Sequence, residues 1–340
     1  MKVLFVVSGS SQYQNVAPST RSLGDSLAAE GVDVAYFTVK GGSAAHHWRS
    51  ARSLRRHLKS EPVDIVHAHH ALSGWVAALA AFGRLPLVLS YDGPDVLGSF
   101  TGQGKRTLRS KLLAALGKIV QPFMSATICK SQQIAAATIT RKRCHLIPDG
   151  VRLERFKAQE KIHRKELGLD KNTQYVLFLA DPSDPNKNVA LVEAALEILN
   201  KPDVELLIRY KISHHAVSKY LNIADVFVVS SFSEGASNLV KEAMACNCPI
   251  VATNVGDVAW VLGDTPGCYL SPSHKPADFA KKLRHALQYS EKYGRTKGRE
   301  RILALGLDAE STARKVIGIY EQVSNKKLGA RPSQTERLQA

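Results

Sequence analysis

Residues 230–253 read SSFSEGASNLVKEAMACNCPIVAT. An apolar run ending at Ser230 gives way to a Ser/Gly loop, then to Leu239, Val240, Ala243 and Met244 at helical spacing. Pro249 then introduces the β-branched run 250–253. The pattern predicts strand, loop, helix and strand, the repeating unit of a parallel sheet covered by helices. The first turn of that helix leaves amides near Ala236, Ser237, Asn238 and Leu239 without intrahelical acceptors, and the helix dipole adds partial positive charge there. Such an end suits a diphosphate. Glu234 precedes the helix, and Glu242 borders its apolar stripe, from where it can point toward a ligand held above the helix start. As an isolated pair these would read as a helix-entry acid and a surface residue.

The same rhythm extends in both directions. Short β-branched runs at 2–7, 34–39 and 63–68 alternate with segments of helical period at 18–30, 46–60 and 72–82. Further apolar runs at 87–90, 127–129 and 145–147 continue the series. The Pro148-Asp149-Gly150 turn, followed by charged residues from Arg152, marks a boundary. A second series opens at 175–179 and includes 204–209, 226–230, 250–253 and 267–270, with helical segments such as 189–199 and 239–246 between them. The expected organisation is an α/β protein with two Rossmann-like domains, 1–152 and 153–309, then an amphipathic helix at 310–323 and a basic, disordered tail at 324–340. Ala313, Val316, Ile317 and Tyr320 give the helix a face with which to dock.

A length of 340 residues with 44% hydrophobic side chains fits two globular domains. Five cysteines without Cys-x-x-Cys spacing describe no disulfide framework, so a reducing, cytoplasmic setting is expected, with Cys246 and Cys248 as packing residues. The first apolar run, 3–7, is too short for a signal peptide, and no stretch approaches the roughly 20 apolar residues of a membrane span. A net charge of +16 requires some surface that meets anions. Basic clusters at Arg49, Arg52, Arg55, Arg56 and Lys59, and at Lys105, Arg106, Arg109 and Lys111, suggest peripheral contact with an anionic membrane, a solvated basic face being the alternative. No aromatic-rich basic stripe points to nucleic acid. Gly102–Arg106 completes neither a dinucleotide fingerprint nor a P-loop and reads as a basic surface loop.

The string from Glu234 resembles the signature of the GT-4 family of retaining glycosyltransferases with the GT-B fold: Glu-x7-Glu falls on Glu234 and Glu242, with Glu-Ala-Met-Ala-Cys intact. The resemblance implies that Glu234 contacts donor sugar hydroxyls near the reacting carbon and that Glu242 accepts hydrogen bonds from the nucleotide ribose. It further implies that the segment Gly235, Ala236, Ser237, Asn238 and Leu239 holds the diphosphate. The loop ADPSDPNKN, 180–188, is similar to the family's basic clamp, with Lys187 in place and Asp181 where an Arg is often found. DIVHAHH (64–70) and LSYDGPDV (89–96) resemble two strand-end segments of the first domain. Many relatives place a His where this chain has Asp92, so the sugar contact falls to Asp92 or to His67, His69 or His70. After the first strand the family's Gly-Gly pair is missing, and Gly9 alone carries over. IPDGVRLERF (147–156) resembles the interdomain segment.

The family's architecture implies a cleft between the two domains and a C-terminal helix that crosses back to the first. The activity implied is transfer, with retention, of a sugar from a nucleotide-diphosphate-sugar donor to a glycan or lipid-linked acceptor, in cell-surface polysaccharide or glycolipid biosynthesis. With no Asp-x-Asp pair and no His/Cys cluster in the sequence, no metal or other cofactor is expected. A GT-B-fold nucleotide-sugar epimerase or hydrolase is the alternative.

Overall fold

The structure is a computed structural model that describes residues 1–9, 16–40, 43–98, 107–159 and 164–329, with side chains described up to residue 325. Lys105 and Arg106, the loop Gly102–Arg106, and Arg331 and Arg337 of the tail lie outside the described residues. The chain divides into two compact units. Unit 1 holds Met1–Gly98, Lys111–Gly150 and the stretch from Ala309; unit 2 holds Val151–Asp308 with Ser99–Ser110.

Unit 1 runs β1 (Lys2–Gly9), α1 (Pro18–Ala29), β2 (Asp33–Lys40), α2 (Ala44–Ser60), β3 (Ile65–His69), α3 (Ala71–Ala81), β4 (Leu87–Tyr91) and α4 (Pro94–Leu97). It continues with α5 (Leu108–Ile119), whose first three residues fall in unit 2, then β5 (Ala126–Cys129), α6 (Gln132–Ala137) and β6 (Cys144–Leu146). The strands form one parallel sheet in the order β2-β1-β3-β4-β5-β6. Alternate side chains of β1 feed two cores on opposite faces, Leu4 and Val6 on one and Val3 and Phe5 on the other. Burial on both faces is why these strands read as unbroken apolar runs.

Unit 2 runs β7 (Gln174–Leu179), α7 (Val189–Leu199), β8 (Val204–Arg209), α8 (His214–Ile223), β9 (Val226–Val229), α9 (Asn238–Ala245), β10 (Ile250–Thr253), α10 (Val258–Leu262), β11 (Cys268–Ser271), α11 (Pro276–Tyr293) and α12 (Gly298–Ala304). Its parallel sheet has the order β11-β10-β9-β7-β8. Helix α9 buries Val240, Ala243 and Met244 in the core beneath Phe227 and Ile250.

The last helix, α13 (Ala309–Gly329), returns the chain to unit 1, where Ala313, Val316, Ile319, Tyr320 and Val323 join Val3, Phe5 and Ile65 in one core. Its helical backbone continues to Gly329, six residues past the apolar stripe, because nothing before Gly329 breaks the helix. Among the described residues no helix is long and apolar enough to cross a membrane.

All five cysteines are free thiols. Cys246 and Cys248 are fully buried, and burial pushes their thiols up to about 12 and about 11. Cys129 and Cys144, on neighbouring strands, bring their sulfurs to 2.7 Å, a proximity that spacing alone does not reveal.

Candidate functional site

In open parallel sheets ligands gather beyond the carboxyl ends of the strands. In unit 2 those ends carry the loops after β7 and β9, and the two loops are laced together. Asp181 and Asp184 accept the amides of Ser183 and Asn186, fixing local turns, and Asn188 takes a left-handed conformation before α7. Asn186 donates its side-chain amide to the Ser233 carbonyl (2.9 Å) and accepts the Phe232 amide at its own carbonyl (2.9 Å); Ser230 Oγ donates to the Lys187 carbonyl (2.7 Å).

This lacing brings Lys187 to Glu234. Lys187 Nζ donates to Glu234 Oε1 at 2.6 Å, and Ser231 Oγ donates to the same oxygen at 2.8 Å. Both residues line a small cavity with Ser231, Ser237 and Leu239. Neither end of the pair is deeply buried, so the contact is exchangeable: a ligand with its own anion and hydroxyls can take over each partner. The loop after β10 presses on the Glu234–Gly235 backbone; a Cβ on Gly256, whose φ is +57°, would lie 2.9 Å from the Glu234 carbonyl oxygen. Asp257 then accepts the Ser237 amide at 3.0 Å and pairs with the fully buried Lys241 at 3.5 Å. That ion pair clamps the start of α9 from beneath.

Glu242 sits one turn into α9, almost fully buried. Its Oε1 meets His214 Nε2 at 2.8 Å, while its Oε2 is buried without a hydrogen-bond partner among the described residues. An Arg155 N–H lies 3.1 Å from His214 Nδ1. A guanidinium only donates, so Nδ1 accepts and Nε2 carries the proton toward Glu242. Arg155, His214 and Glu242 thus form a directional relay that fixes one carboxylate oxygen and leaves the other unpaired. An unpaired buried carboxylate oxygen costs about 1–3 kcal/mol, a cost that a ligand hydroxyl at Oε2 relieves.

Gly9 and Asp92 belong to unit 1. Gly9 ends β1 opposite Lys40 of β2. Asp92 follows β4, its amide and that of Gly93 held by Asp95 Oδ1 at 3.1 and 2.9 Å. Its carboxylate meets Lys130 Nζ at 2.6 Å, and Lys130 also meets Asp149 at 3.2 Å. Burial disfavours the charged ammonium of Lys130, but the Asp149 and Asp92 carboxylates outweigh it and hold the group well above its ordinary value. The three histidines have structural partners in the fold. His67 Nδ1 meets Tyr320 Oη at 2.6 Å and its Nε2 meets Ser90 Oγ at 2.8 Å. His69 stacks on His67, and His70 accepts the Leu72 amide at the start of α3. Lys130, Arg155, His214, Ser231 and Asp257 were not singled out from the sequence; all but Ser231, which lies three residues from Glu234, reach their partners across a fold contact rather than a motif.

Comparison with known proteins agrees with this architecture. Residues 16–155 match the family model described as Glycosyltransferase Family 4, and residues 183–289 match that described as Glycosyl transferases group 1. A Bacillus subtilis protein named as a teichuronic acid biosynthesis glycosyltransferase is 25% identical over 69% of this chain and 64% of its own length. A D-inositol 3-phosphate glycosyltransferase of Frankia alni is 25% identical over 80% of this chain and 77% of its own. Among solved structures, sucrose-phosphate synthase from Thermosynechococcus elongatus superposes with a TM-score of 0.79 at 19% identity, covering 95% of this chain and 98% of that one. The Anabaena protein HepE, solved in complex with UDP, superposes with a TM-score of 0.74 at 15% identity over 95% of this chain and all of its own. With both α/β units matched by its models and the fold shared with these solved structures, the chain belongs to the group 1, family 4 glycosyltransferases of GT-B fold.

Proposed function

We propose that the chain transfers a sugar, with retention of configuration, from a nucleotide-diphosphate-sugar to a glycan or lipid-linked acceptor in cell-surface polysaccharide or glycolipid biosynthesis. The observation that carries this reading is the Lys187–Glu234 contact at the ends of β7 and β9, beside the start of α9. A cation for the departing diphosphate and a carboxylate for sugar hydroxyls stand 2.6 Å apart, each positioned by its loop. Lys187 and the amides of Gly235, Ala236, Asn238 and Leu239 take the diphosphate charge in this scheme, without a divalent cation; the Ser237 amide, expected among them, is instead held by Asp257. Glu234 orients the sugar at its reacting carbon, and Glu242 Oε2 accepts a ribose hydroxyl. Within unit 1, Asp92, held by Lys130, is the carboxylate proposed to accept a sugar hydroxyl, and Gly9 a position that allows a ligand close to the backbone.

The relatives support the same chemistry. HepE has been solved with UDP-glucose, and the curated relatives carry names of teichuronic acid biosynthesis and of inositol phosphate glycosylation. The charge of +16 and the exposed Arg49, Arg52, Arg55, Arg56 and Lys59 along α2 support peripheral contact with an anionic membrane, where such an acceptor resides.

A thermal-shift series with UDP-, GDP- and ADP-sugars tests the reading. One donor class is expected to stabilise the fold, by about 2.7 kcal/mol at a hundredfold excess over Kd, and NMR of the product should show the donor's anomeric configuration kept. Consumption of the donor without acceptor would identify an epimerase or hydrolase instead. If no nucleotide sugar shifts the melt, the proposal fails.

A further inference from the structure

Helix α5 is amphipathic the wrong way round for a helix of a globular core. It packs inward through small residues: Ala114 and Gly117 are buried, and a Cβ on Gly117 would lie 1.8 Å from the Asp95 carbonyl oxygen, so the helix lies flat against its neighbour. Its large residues face out. Leu112 is 62% exposed, Leu116 38% and Ile119 50%, at the spacing of one helical face.

The exposed stripe does not stand alone. Trp75 Nε1 of α3 donates to the Leu116 carbonyl at 3.0 Å, and Tyr91 Oη donates to the Gly117 carbonyl at 2.8 Å, fixing α5 beside α3. Trp75 and Phe82 each contact the Phe123 ring, with centroids 5.6 and 5.4 Å away, and Leu79 of α3 and Phe82 just past its end are 48% and 59% exposed. A groove of about 500 Å³ adjoins them, lined by Phe82, Pro86, Pro122, Phe123 and Arg143 among others. The patch is therefore continuous, and soluble proteins seldom leave such a surface open without a partner for it.

The rim is uniformly basic. Lys111 and Lys118 flank the stripe, Arg84 follows Phe82, and the exposed triplet Arg141, Lys142 and Arg143 is tied in by Arg143 hydrogen bonds to the Pro122 and Met124 carbonyls. Between Asp64 and Asp149 the sequence holds only two acids, Asp92 and Asp95; Asp92 pairs with Lys130, and Asp95 is buried on backbone amides.

We infer that the face formed by α5, the end of α3 and Phe123 is a docking surface for an anionic phospholipid bilayer. Leucine, isoleucine and phenylalanine enter the acyl boundary while lysine and arginine stay at the phosphates. Charge complementarity selects the occupant: aliphatic side chains ringed by one sign of charge suit a fluid, anionic, laterally adaptable surface. The inference rests on the membrane-associated acceptor proposed above and gives that contact its face, in apolar insertion at α5 rather than in the arginines of α2 alone.

Flotation of the full chain tests it, with vesicles of equal parts phosphatidylcholine and phosphatidylglycerol at roughly 0.1 M salt. Wild type is expected to float with these vesicles and about tenfold less with pure phosphatidylcholine. The double variant Leu112→Glu/Leu116→Glu should lose binding about tenfold or more, while keeping the wild-type melting temperature and donor-induced shift. Brominated acyl chains should quench added fluorescence of Leu112→Trp, which reports insertion without relying on a loss. If wild type ignores anionic vesicles, the membrane reading itself falls. Should wild type bind and the double variant bind equally, or should bromine leave Leu112→Trp unquenched, the membrane reading survives and this face is wrong. A wild-type dimer that the double variant dissolves would assign the face to a second copy and also overturn the inference.

Discussion

The Lys187 ammonium and the Glu234 carboxylate, 47 residues apart in sequence, hold each other at 2.6 Å. The two groups proposed to grip opposite ends of the donor are thus each other's partner, and donor binding has to divide them. Removing one is therefore not equivalent to removing the other.

Lys187→Ala deletes the cation and should weaken binding of a free nucleoside diphosphate by about ten- to a hundredfold, the range of one or two charge-assisted hydrogen bonds. Glu234→Gln removes the carboxylate that competes for Lys187, so it should bind the free diphosphate at least as well as wild type while transfer falls about a hundredfold or more. Calorimetry with the nucleotide and initial-rate assays with the full donor separate the two effects. Equal loss of nucleotide affinity in both variants would show that the pair acts as structure, not as a divided clamp.

The Arg155–His214–Glu242 relay predicts a second asymmetry. His214→Ala frees Glu242 Oε1 to turn away from its present orientation, so donor KM should rise about tenfold with kcat little changed, the mark of lost ground-state binding. His214→Gln, which can still donate to Oε1, should recover most of the affinity. The readout is KM against kcat for the donor. A fall in kcat alone would place His214 elsewhere in the reaction.

Much of the fold was legible because period and punctuation agree: strand β8 and helix α7 occupy the expected residues, 204–209 and 189–199. Helix α5 was not: Arg109 and Lys111 read only as part of a basic cluster, and its packing face is made of small residues that carry little hydrophobic signal. In the site, Glu234, Glu242 and Lys187 stand in recognisable strings. Their partners do not: Ser231 aside, His214 and Asp257 reach their contacts across 28 and 20 residues. Such pairings follow from strand order, and a single sequence does not specify which strand end faces which. Lys130 shows the same limit. It follows β5 as an unremarkable lysine until the sheet order places it between the segments after β4 and β6.

Two buried histidines set an acid limit. Burial is the leading cause that holds His67 and His69 well below the ordinary imidazole value, with the Lys130 charge adding to it. Both are neutral in the fold, whereas the unfolded chain takes up protons below about pH 6.5. The unfolded state then binds more protons, so stability is fully present above about 6.5 and falls with pH beneath it, by about 1.4 kcal/mol per pH unit for each histidine. Among the described residues His69 has no hydrogen-bond partner at either ring nitrogen, so His69→Phe should flatten the acid limb and leave stability at neutral pH equal or higher. Melting temperatures from pH 5 to 8 check this. An unchanged acid limb in the variant would assign the sensitivity to other groups.

Lys130 contacts two carboxylates that differ in exposure, and distance and burial make opposite forecasts for them. Asp92 is nearer, at 2.6 Å, but its side chain is 37% exposed; Asp149 is at 3.2 Å and 15% exposed. Solvent screening reduces an exposed pair to about 0–1 kcal/mol, whereas breaking a buried one costs about 3–5 kcal/mol. Lys130→Met should therefore destabilise unit 1 by several kcal/mol, chiefly through Asp149. In double-mutant cycles read by denaturant unfolding, coupling of Lys130 to Asp149 should exceed its coupling to Asp92 despite the longer distance. Adding Asp149→Asn to Lys130→Met should restore more of the loss than adding Asp92→Asn, because Asp149 is the more buried of the two carboxylates. If the rescues come out in the reverse order, separation rather than burial governs this cluster, and Asp92 is less available to a sugar hydroxyl than the proposed reaction requires.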